Sequence, residues 1–175
     1  NGGDGIVVRG DIKEVKDLRG KKIVLAQSSP SQYFVLNMRV AAGVQPSEVE
    51  FIYTADAFQA AAAFNARKEL EACVSWAPDI DNLEKVQGNR MLVNTQTANR
   101  LIADVWFARA DFARDRPGIC EALVRGIFEA MEQLKDQAAK TKCAAQMAAF
   151  YNIPQEETLE MFADAYSTGW GDNYQ

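Results

Sequence analysis

The chain has 175 residues, of which 48% are hydrophobic and 25% are charged, a composition typical of a globular protein with a buried core and one or two domains. Its formal net charge of −5 argues against nucleic-acid binding, and no apolar run approaches the ~20 residues of a membrane-spanning helix. The absence of histidine excludes Ser-His-Asp triads, Cys-His dyads and histidine-containing zinc sites. We therefore expect no catalytic residue, no metal site and no cofactor.

The first residues, Asn1–Gly5, are typical of the interior of a loop, and no signal peptide begins the chain. We therefore expect the sequence to be a piece of a longer protein. A short strand is predicted at residues 6–9, followed by a single helical turn over Val15–Arg19.

The stretch after Gly20 predicts a buried strand that leads directly into a helix. Ile23–Ala26 is a short apolar run, as in a strand of a parallel sheet. Ser29 then fits an N-cap, Pro30 the first helical position, and Gln32 the capping box. Backbone N–H groups and the hydroxyls of Ser28 and Ser29 meet at this helix start, which favours negative charge. Two interpretations remain open, since the serines either cap the helix only or also bind an anion.

Strands and helices continue to alternate up to residue 94, which indicates βαβ units and an α/β fold with a parallel sheet. Phe58 and Phe64 occur in an alanine-rich helix that we expect to pack closely on this sheet. The predicted elements are a strand at 49–53, a helix at 57–67, a strand at 72–76, a helix from 79 to about 86, and a strand at 91–94.

In parallel sheets, ligands bind beyond the carboxyl ends of the strands. Polar and aromatic residues gather at those ends here, so the sequence predicts a binding site at this edge. The candidate residues at this edge are Gln27, Ser28, Ser29, Thr54, Asp56, Ser75, Trp76, Asp79 and Thr95. Trp76 suits core packing and a stacking wall for a ligand equally well. Asp56 and Asp79 each stand at a helix start, where a carboxylate serves as a cap or contacts a ligand.

The character of the sequence changes from Leu101 onward. Residues 102–109 predict an extended strand. The following residues predict a helix that begins near Pro117, a second helix at Gln137–Tyr151 and a third that begins at Pro154. Asp104 interrupts the apolar strand, where an unpaired carboxylate is costly, so we expect it to contact a ligand cation or an arginine. No further strand is predicted, so the apolar faces of these helices need cover from the first region or from outside the chain. Self-association is expected if the chain is truncated.

The three cysteines show no CxxC spacing. Cys73 lies in a strand-like run and is interpreted as a core thiol. Cys120 and Cys143 both fall on predicted helices, where a disulfide between them is possible but not required by their spacing. Cysteine usage therefore does not indicate the cellular compartment.

Four segments of the chain resemble a known family. They are DLRGKKIVLAQSSPSQYFVLNMRVAAG, VEFIYTADAFQAAAAF, ACVSWAPDI and IADVWFARADFARDRPGICEALVRGIFEAM. In this order they resemble the substrate-binding proteins of ABC transporters in the nitrate, sulfonate, taurine and bicarbonate group, which have the type II periplasmic-binding fold.

The resemblance implies two α/β lobes around a ligand cleft. Residues 9–100 would form the second lobe, while residues 1–8 and 101–175 would supply hinge strands and helices of the first lobe, whose N-terminal half is missing. The anion-holding serines of the family match Ser28 and Ser29, its cleft-lining aromatic residue matches Trp76, and its acidic hinge position matches Asp104.

The implied function is that of a non-catalytic solute-binding component of an ABC importer. Its solute would be a small anion or zwitterion, such as a sulfonate, taurine, nitrate or a phosphonate. The expected partners are the membrane subunits of the transporter, and the expected location is periplasmic or extracellular. The alternative is a sensory or effector domain of the same fold, and an enzyme is less favoured because histidine, the commonest acid–base residue, is missing.

Overall fold

The computed structural model describes residues 3–98, 101–163 and 167–173. The chain divides into two compact units, which we call the sheet unit (Asn1–Ala103) and the helical unit (Asp104–Gln175). Within the described residues, no helix combines the length and the apolar character needed to cross a membrane. The boundary predicted at residue 100 lies outside the described residues.

The sheet unit is built on a mostly parallel five-stranded sheet, which confirms the predicted α/β class. The strands are β1 (Asp4–Arg9), β2 (Lys22–Ala26), β3 (Glu50–Thr54), β4 (Ala72–Trp76) and β5 (Asn89–Asn94), in the spatial order β3-β2-β4-β1-β5. Strand β2 pairs in parallel with β3 and β4. The predicted bounds of β4 are confirmed, and those of the other strands differ by one or two residues.

Strand β1 is the exception to the parallel pairing of this sheet. It lies between β4 and β5 and runs antiparallel to both. The family resemblance assigns residues 1–8 to a hinge strand. The structure pairs Gly5–Val8 with both β4 and β5 inside the sheet, and a hinge role for these residues stays a prediction. Ile6, Val7 and Val8 are fully buried because both faces of the sheet are covered at this position.

Helices cover the two faces of the sheet and form two cores. The α-helices of this unit are α1 (Pro30–Ala41), α2 (Ala57–Ala66) and α3 (Asp79–Glu84), and 3₁₀ turns occur at Val15–Leu18 and Pro46–Glu48. One core joins Phe34 and Val35 of α1 to the sheet. The other joins Phe64 of α2 and Ile80 of α3 to Cys73 of β4. Burial of these apolar side chains on both faces is the main stabilising contribution to the unit.

The end of β1 fixes the end of α2. The Arg9 guanidinium donates to the carbonyl oxygens of Arg67 and Leu70, at 3.0 Å each, and to that of Phe64 at 2.5 Å. It also lies 3.8 Å from the centroid of the Phe64 ring. The Phe64 and Arg67 carbonyls lie at the end of the helix, where carbonyls lack intrahelical donors, so Arg9 holds the C-terminal end of α2 against the sheet.

The helical unit contains a succession of helices. They are α4 (Ala110–Asp115), α5 (Pro117–Gln133), α6 (Gln137–Tyr151), α7 (Gln155–Glu160), a 3₁₀ turn at Met161–Ala163, and α8 (Trp170–Asn173). The predicted bounds of α6 are confirmed, and Asn152 ends it in the left-handed conformation at φ 56°. Among the described residues of this unit, Ala144 and Thr158 are buried.

The prediction for residues 102–109 is wrong. Residues 102–109, predicted as an extended strand, form no strand, and Val105, Trp106 and Phe107 are exposed. An extended segment becomes a strand only when a neighbouring strand satisfies its backbone groups, and within the described residues none pairs with this one. The sequence left a disulfide between Cys120 and Cys143 open, and in the structure both are free thiols.

Candidate functional site

The candidate site lies at the edge of the sheet where β2, β3 and β4 end, which we call the carboxyl edge. Because β1 is antiparallel, its first residue lies at the same edge, and Asp4 is paired with Trp76. Ala26 is likewise paired with Thr54, and Gly5 with Asn94. The turns after the parallel strands and the start of β1 therefore meet at one edge, as the βαβ spacing predicts.

The serine turn after β2 caps α1. The Ser29 hydroxyl accepts from the Gln32 N–H at 3.2 Å and donates to the Ala26 carbonyl at 2.7 Å. The Gln32 side chain accepts from the Ser28 N–H at 2.5 Å, so the reciprocal bond of the predicted capping box lies one residue earlier than expected. Ser28 has a left-handed backbone, with φ 53°, and its side chain is exposed, as is that of Gln27.

These hydrogen bonds assign different roles to the two serines. The Ser29 hydroxyl is already engaged in capping and in a bond to the preceding strand. Ser28 presents its hydroxyl to solvent beside the positive end of the α1 dipole. The cap interpretation is therefore confirmed for Ser29, and an anion approaching this helix end would meet the Ser28 side chain.

Thr54 and Asp56 organise the turn between β3 and α2. The Thr54 hydroxyl lies 2.7 Å from the Asp56 carbonyl oxygen, to which it donates. The Asp56 carboxylate accepts from the Gln59 N–H at 2.8 Å and from the Gln59 side-chain amide at 3.0 Å. Both carboxylate oxygens of Asp56 are thus used at the start of α2, which confirms its predicted role as the cap.

Trp76 lies at the end of β4 and is only partly buried. Its ring meets that of Phe58 edge to face, with centroids 6.3 Å apart and planes at 81°. Ser75, the preceding residue, is buried, and its hydroxyl donates to the Ala57 carbonyl at 3.3 Å. Trp76 therefore belongs to an aromatic pair at the carboxyl edge and not to either core.

Asp79 is the first residue of α3, where Pro78 occupies the cap position. One of its carboxylate oxygens is buried and has no hydrogen-bond partner among the described residues. Burial raises the pKa of Asp79 above its ordinary value of 3.8, because the charged form loses hydration. Burial, with a smaller contribution from the Asp79 charge, also raises the pKa of the Cys73 thiol to about 12. Capping therefore does not account for the Asp79 carboxylate, unlike that of Asp56.

For Asp104, a contact with a ligand stays a prediction. The residue belongs to the helical unit, in the segment that forms no strand, and its side chain is exposed. The argument that its carboxylate interrupts a buried strand was therefore wrong. The nine other candidate residues lie in the sheet unit, at the carboxyl ends of the strands or in the turns and helix starts that follow them.

Phe58 is a residue at this edge that the sequence analysis missed. The helix that contains it packs on the sheet as expected, but the sequence analysis did not separate its two phenylalanines: Phe64 is fully buried and Phe58 is 58% exposed. The helical period contains the missed signal, because Ala57, Ala60, Ala61 and Phe64 form the buried stripe of α2 and Phe58 falls beside it. Among the described residues, no cluster of three or more potential metal ligands occurs.

Comparisons with known proteins identify relatives. The taurine-binding periplasmic protein of Escherichia coli (strain K12) is 27% identical over 132 residues, which are 74% of this chain and 40% of that protein. The structure of the periplasmic aliphatic sulphonate binding protein SsuA from Escherichia coli matches with a TM-score of 0.79 at 20% identity, covering 94% of this chain and 52% of SsuA. The desulfurization enzyme DSZB also matches, with a TM-score of 0.63 at 17% identity, covering 90% of this chain and 60% of DSZB.

This chain therefore covers between 40% and 60% of the length of these proteins. The solved structures share its fold, which is that of periplasmic binding proteins. A family profile described as NMT1/THI5 like matches residues 4–141. The chain belongs to the NMT1/THI5-like family.

Proposed function

We propose that this protein is a non-catalytic solute-binding component of an ABC importer and that it binds a small anionic or zwitterionic solute at the carboxyl edge. The observation that carries the proposal is the convergence of the α1 start, the Thr54 turn and Trp76 at one edge of the sheet. Membership of a family with a taurine-binding relative supports it. The periplasmic relative supports a periplasmic or extracellular location, with transporter membrane subunits as partners.

The charges at the carboxyl edge favour a solute with an anionic group at one end and a cationic group at the other. The N-terminus of α1 and the Ser28 hydroxyl offer hydrogen-bond donors to an anionic group. Each hydrogen bond to a charged group contributes about 1.5–3 kcal/mol. Asp56 and Asp79 place negative charge at the same edge and favour a cationic group on the solute. Amino-sulfonates and amino-phosphonates carry both groups, so we place them ahead of simple phosphate.

Binding rather than catalysis agrees with the side chains present. The sequence contains no histidine, the residue most often used for proton transfer. The Cys73 thiol, which is buried with a pKa raised to about 12, is protonated at neutral pH and is a poor nucleophile. The fold shared with DSZB keeps an enzyme as the alternative, but no side chain described here favours it.

Calorimetry with taurine, alkanesulfonates and nitrate tests the proposal on the purified full-length protein. Ser28→Asp adds a negative charge at the start of α1 without removing the Ser29 cap, and aspartate tolerates the left-handed backbone. We expect it to weaken solute binding by tenfold or more, which corresponds to about 1.4 kcal/mol.

The matched control is Ser47→Asp. Ser47 is exposed in the 3₁₀ turn before β3, at the opposite edge of the sheet, and the substitution changes the net charge equally. It should leave binding unchanged. If Ser28→Asp binds as tightly as the parent, the solute does not bind at the start of α1. If none of the solutes binds the parent, the proposed function is wrong for this solute class.

A further inference from the structure

The exposed ring of Phe58 has no role in the core of the sheet unit. Phe58 is the second residue of α2, and the buried side of that helix is formed by alanines and Phe64. Most of the Phe58 side chain, 58%, remains accessible to solvent. A large aromatic side chain gains little stability in such a position, because the hydrophobic contribution scales with the area removed from water.

The backbone under Phe58 is held in place from three sides. The Asp56 carboxylate caps the start of α2, and the Ser75 hydroxyl joins the Ala57 carbonyl to β4. Arg9 holds the other end of the helix through the carbonyls of Phe64, Arg67 and Leu70. The α2 helix therefore presents Phe58 at the carboxyl edge from a fixed backbone.

The Phe58 and Trp76 rings together form an apolar corner. Their centroids are 6.3 Å apart and their planes are inclined at 81°, the edge-to-face arrangement that aromatic pairs prefer. Two nearly perpendicular rings in contact offer apolar surface on two sides of a ligand group that lies in the angle of the corner. The surrounding turns at this edge carry polar side chains from Ser28, Thr54 and Asp56. An apolar corner among polar turns suits a ligand that has both an organic group and a charged group.

We propose that Phe58 determines specificity by selecting solutes that carry an apolar organic group of several carbons beside the anionic group. This inference rests on the proposed function, since it concerns the same edge of the sheet. Small inorganic anions such as nitrate have no apolar surface to place against the corner. Affinity should therefore rise with the length of the organic group, by up to about three- to fourfold per buried methylene.

The experiment compares methanesulfonate with butanesulfonate by calorimetry on the purified full-length protein. We expect butanesulfonate to bind about tenfold more tightly than methanesulfonate, because an open corner buries the added methylenes only in part. Phe58→Ala should reduce this ratio to about two while changing the affinity for methanesulfonate by no more than about twofold. Phe58→Leu keeps apolar surface at the position and should restore an intermediate ratio.

The matched control is Phe150→Ala, which removes an exposed phenylalanine of the helical unit. It should leave the ratio of the two affinities as in the parent. Thermal unfolding of each variant verifies that the sheet unit is intact, as expected for a side chain so exposed.

Two results would overturn the inference while leaving the proposed function standing. One is a parent that binds both sulfonates equally, and the other is a Phe58→Ala variant that keeps the parent ratio. Failure of the parent to bind either sulfonate, taurine or nitrate would instead contradict the proposed function itself.

Discussion

The sheet unit and the helical unit contain similar fractions of apolar residues, but the sheet unit buries many more of them. Both faces of the sheet are covered, and the two cores contain fully buried side chains such as Leu25 and Phe64. The helical unit contains α5, an amphipathic helix, yet its Ile119, Leu123 and Val124 are exposed. An apolar stripe therefore predicts that a helix forms but does not show what covers it.

The burial of charged side chains also differs between the two units. In the sheet unit, the Arg9 guanidinium bonds three carbonyls and contacts a buried ring. In the helical unit, Arg125 pairs with Glu121 one turn away, and both side chains are well exposed. Exposed pairs of this kind contribute about 0.3–0.5 kcal/mol, so the structure of this unit depends on its apolar faces and not on its ion pairs.

The largest expected difference between the units is in thiol reactivity. Cys73 is fully buried, and burial raises its pKa from an ordinary 9.0 to about 12, which lowers its thiolate fraction about a thousandfold. Cys120 and Cys143 are partly exposed free thiols. A thiol reagent at pH 8 should therefore modify two cysteines rapidly and the third only when the sheet unit opens.

Cys73→Ala should remove the slow reaction and leave the two fast ones. If all three thiols of the native parent react at one rate, the sheet unit opens as readily as the helical unit. The contrast between the two units would then be lost.

The next largest difference between the units is expected in the loss of stability when an apolar side chain is truncated. Leu25→Ala removes a fully buried side chain from β2 and should lower the free energy of unfolding by about 2–5 kcal/mol, because a cavity remains. Leu123→Ala removes a side chain that is 51% exposed, so about 1 kcal/mol or less is expected. Chemical denaturation measures both.

An equal loss in the two variants would show that the exposed face of α5 is covered in solution. Light scattering on the same samples tests whether a second copy of the chain provides that cover, which is the self-association expected from the sequence. A monomer with equal losses would contradict the exposure of Leu123.

Removing helix caps should have a smaller effect. Asp56 caps α2 and Asp136 caps α6 through similar bonds, from the Gln59 and Ala139 N–H groups at 2.8 and 2.9 Å. Replacing either aspartate by alanine should lower stability by about 1 kcal/mol, as for other N-caps. Circular dichroism during denaturation measures the helix content and stability of each variant.

Because asparagine caps helices as well as aspartate does, Asp56→Asn and Asp136→Asn are the matched controls. Both should retain nearly the parent stability. A loss of stability in Asp56→Asn equal to that in Asp56→Ala would show that the charge, and not the cap bond, is what α2 needs.

The smallest expected effect is the pH dependence caused by Asp79. Burial raises its pKa in the folded state above 3.8, so the folded state retains a proton that the unfolded state has already released. Stability is therefore lost as the pH rises from 3.8 through the folded pKa, and the penalty persists at neutral pH. Asp79→Asn should unfold at a higher urea concentration than the parent at pH 7 and at the same concentration at pH 3.

Glu71→Gln is a control for which the opposite pH dependence of stability is expected. Burial opposes ionisation of Glu71, but the Lys21 ammonium at 2.8 Å and the Lys22 N–H outweigh it and hold the pKa of Glu71 below 4.5. Its contribution to stability is present above pH 4.5 and is lost as the pH falls through the folded pKa. Glu71→Gln should therefore destabilise the protein at pH 7 and not at pH 3. An Asp79→Asn variant that behaves in the same way would contradict the burial of that carboxylate.

Features set by neighbouring residues could be predicted from the sequence. The caps at Ser29 and Asp56 and the bounds of β4 and α6 follow from short local patterns, and the structure confirms them. The grouping of the polar turns at the carboxyl edge follows from the βαβ order. Whether those turns contact a solute stays a prediction.

Features set by distant residues could not be predicted in this way. An apolar run such as Ile6–Val8 predicts a buried strand but does not specify its neighbours or direction, and residues 102–109 had the pattern of a strand without a partner. Phe58 is intermediate, because counting the period of α2 from Ala57 would have placed it off the buried stripe.

The position of β1 between β4 and β5 affects the order in which the sheet assembles. Strands β2 and β3 can pair as soon as Thr54 has been synthesised, whereas β1 needs β4 and β5, and its pairing is complete only after Asn94. Bringing β1 to neighbours so distant in sequence costs loop-closure entropy, which slows folding. Until then the apolar edge of Ile6, Val7 and Val8 is open to aggregation. Of the five strands, the first to emerge from the ribosome is among the last to be paired.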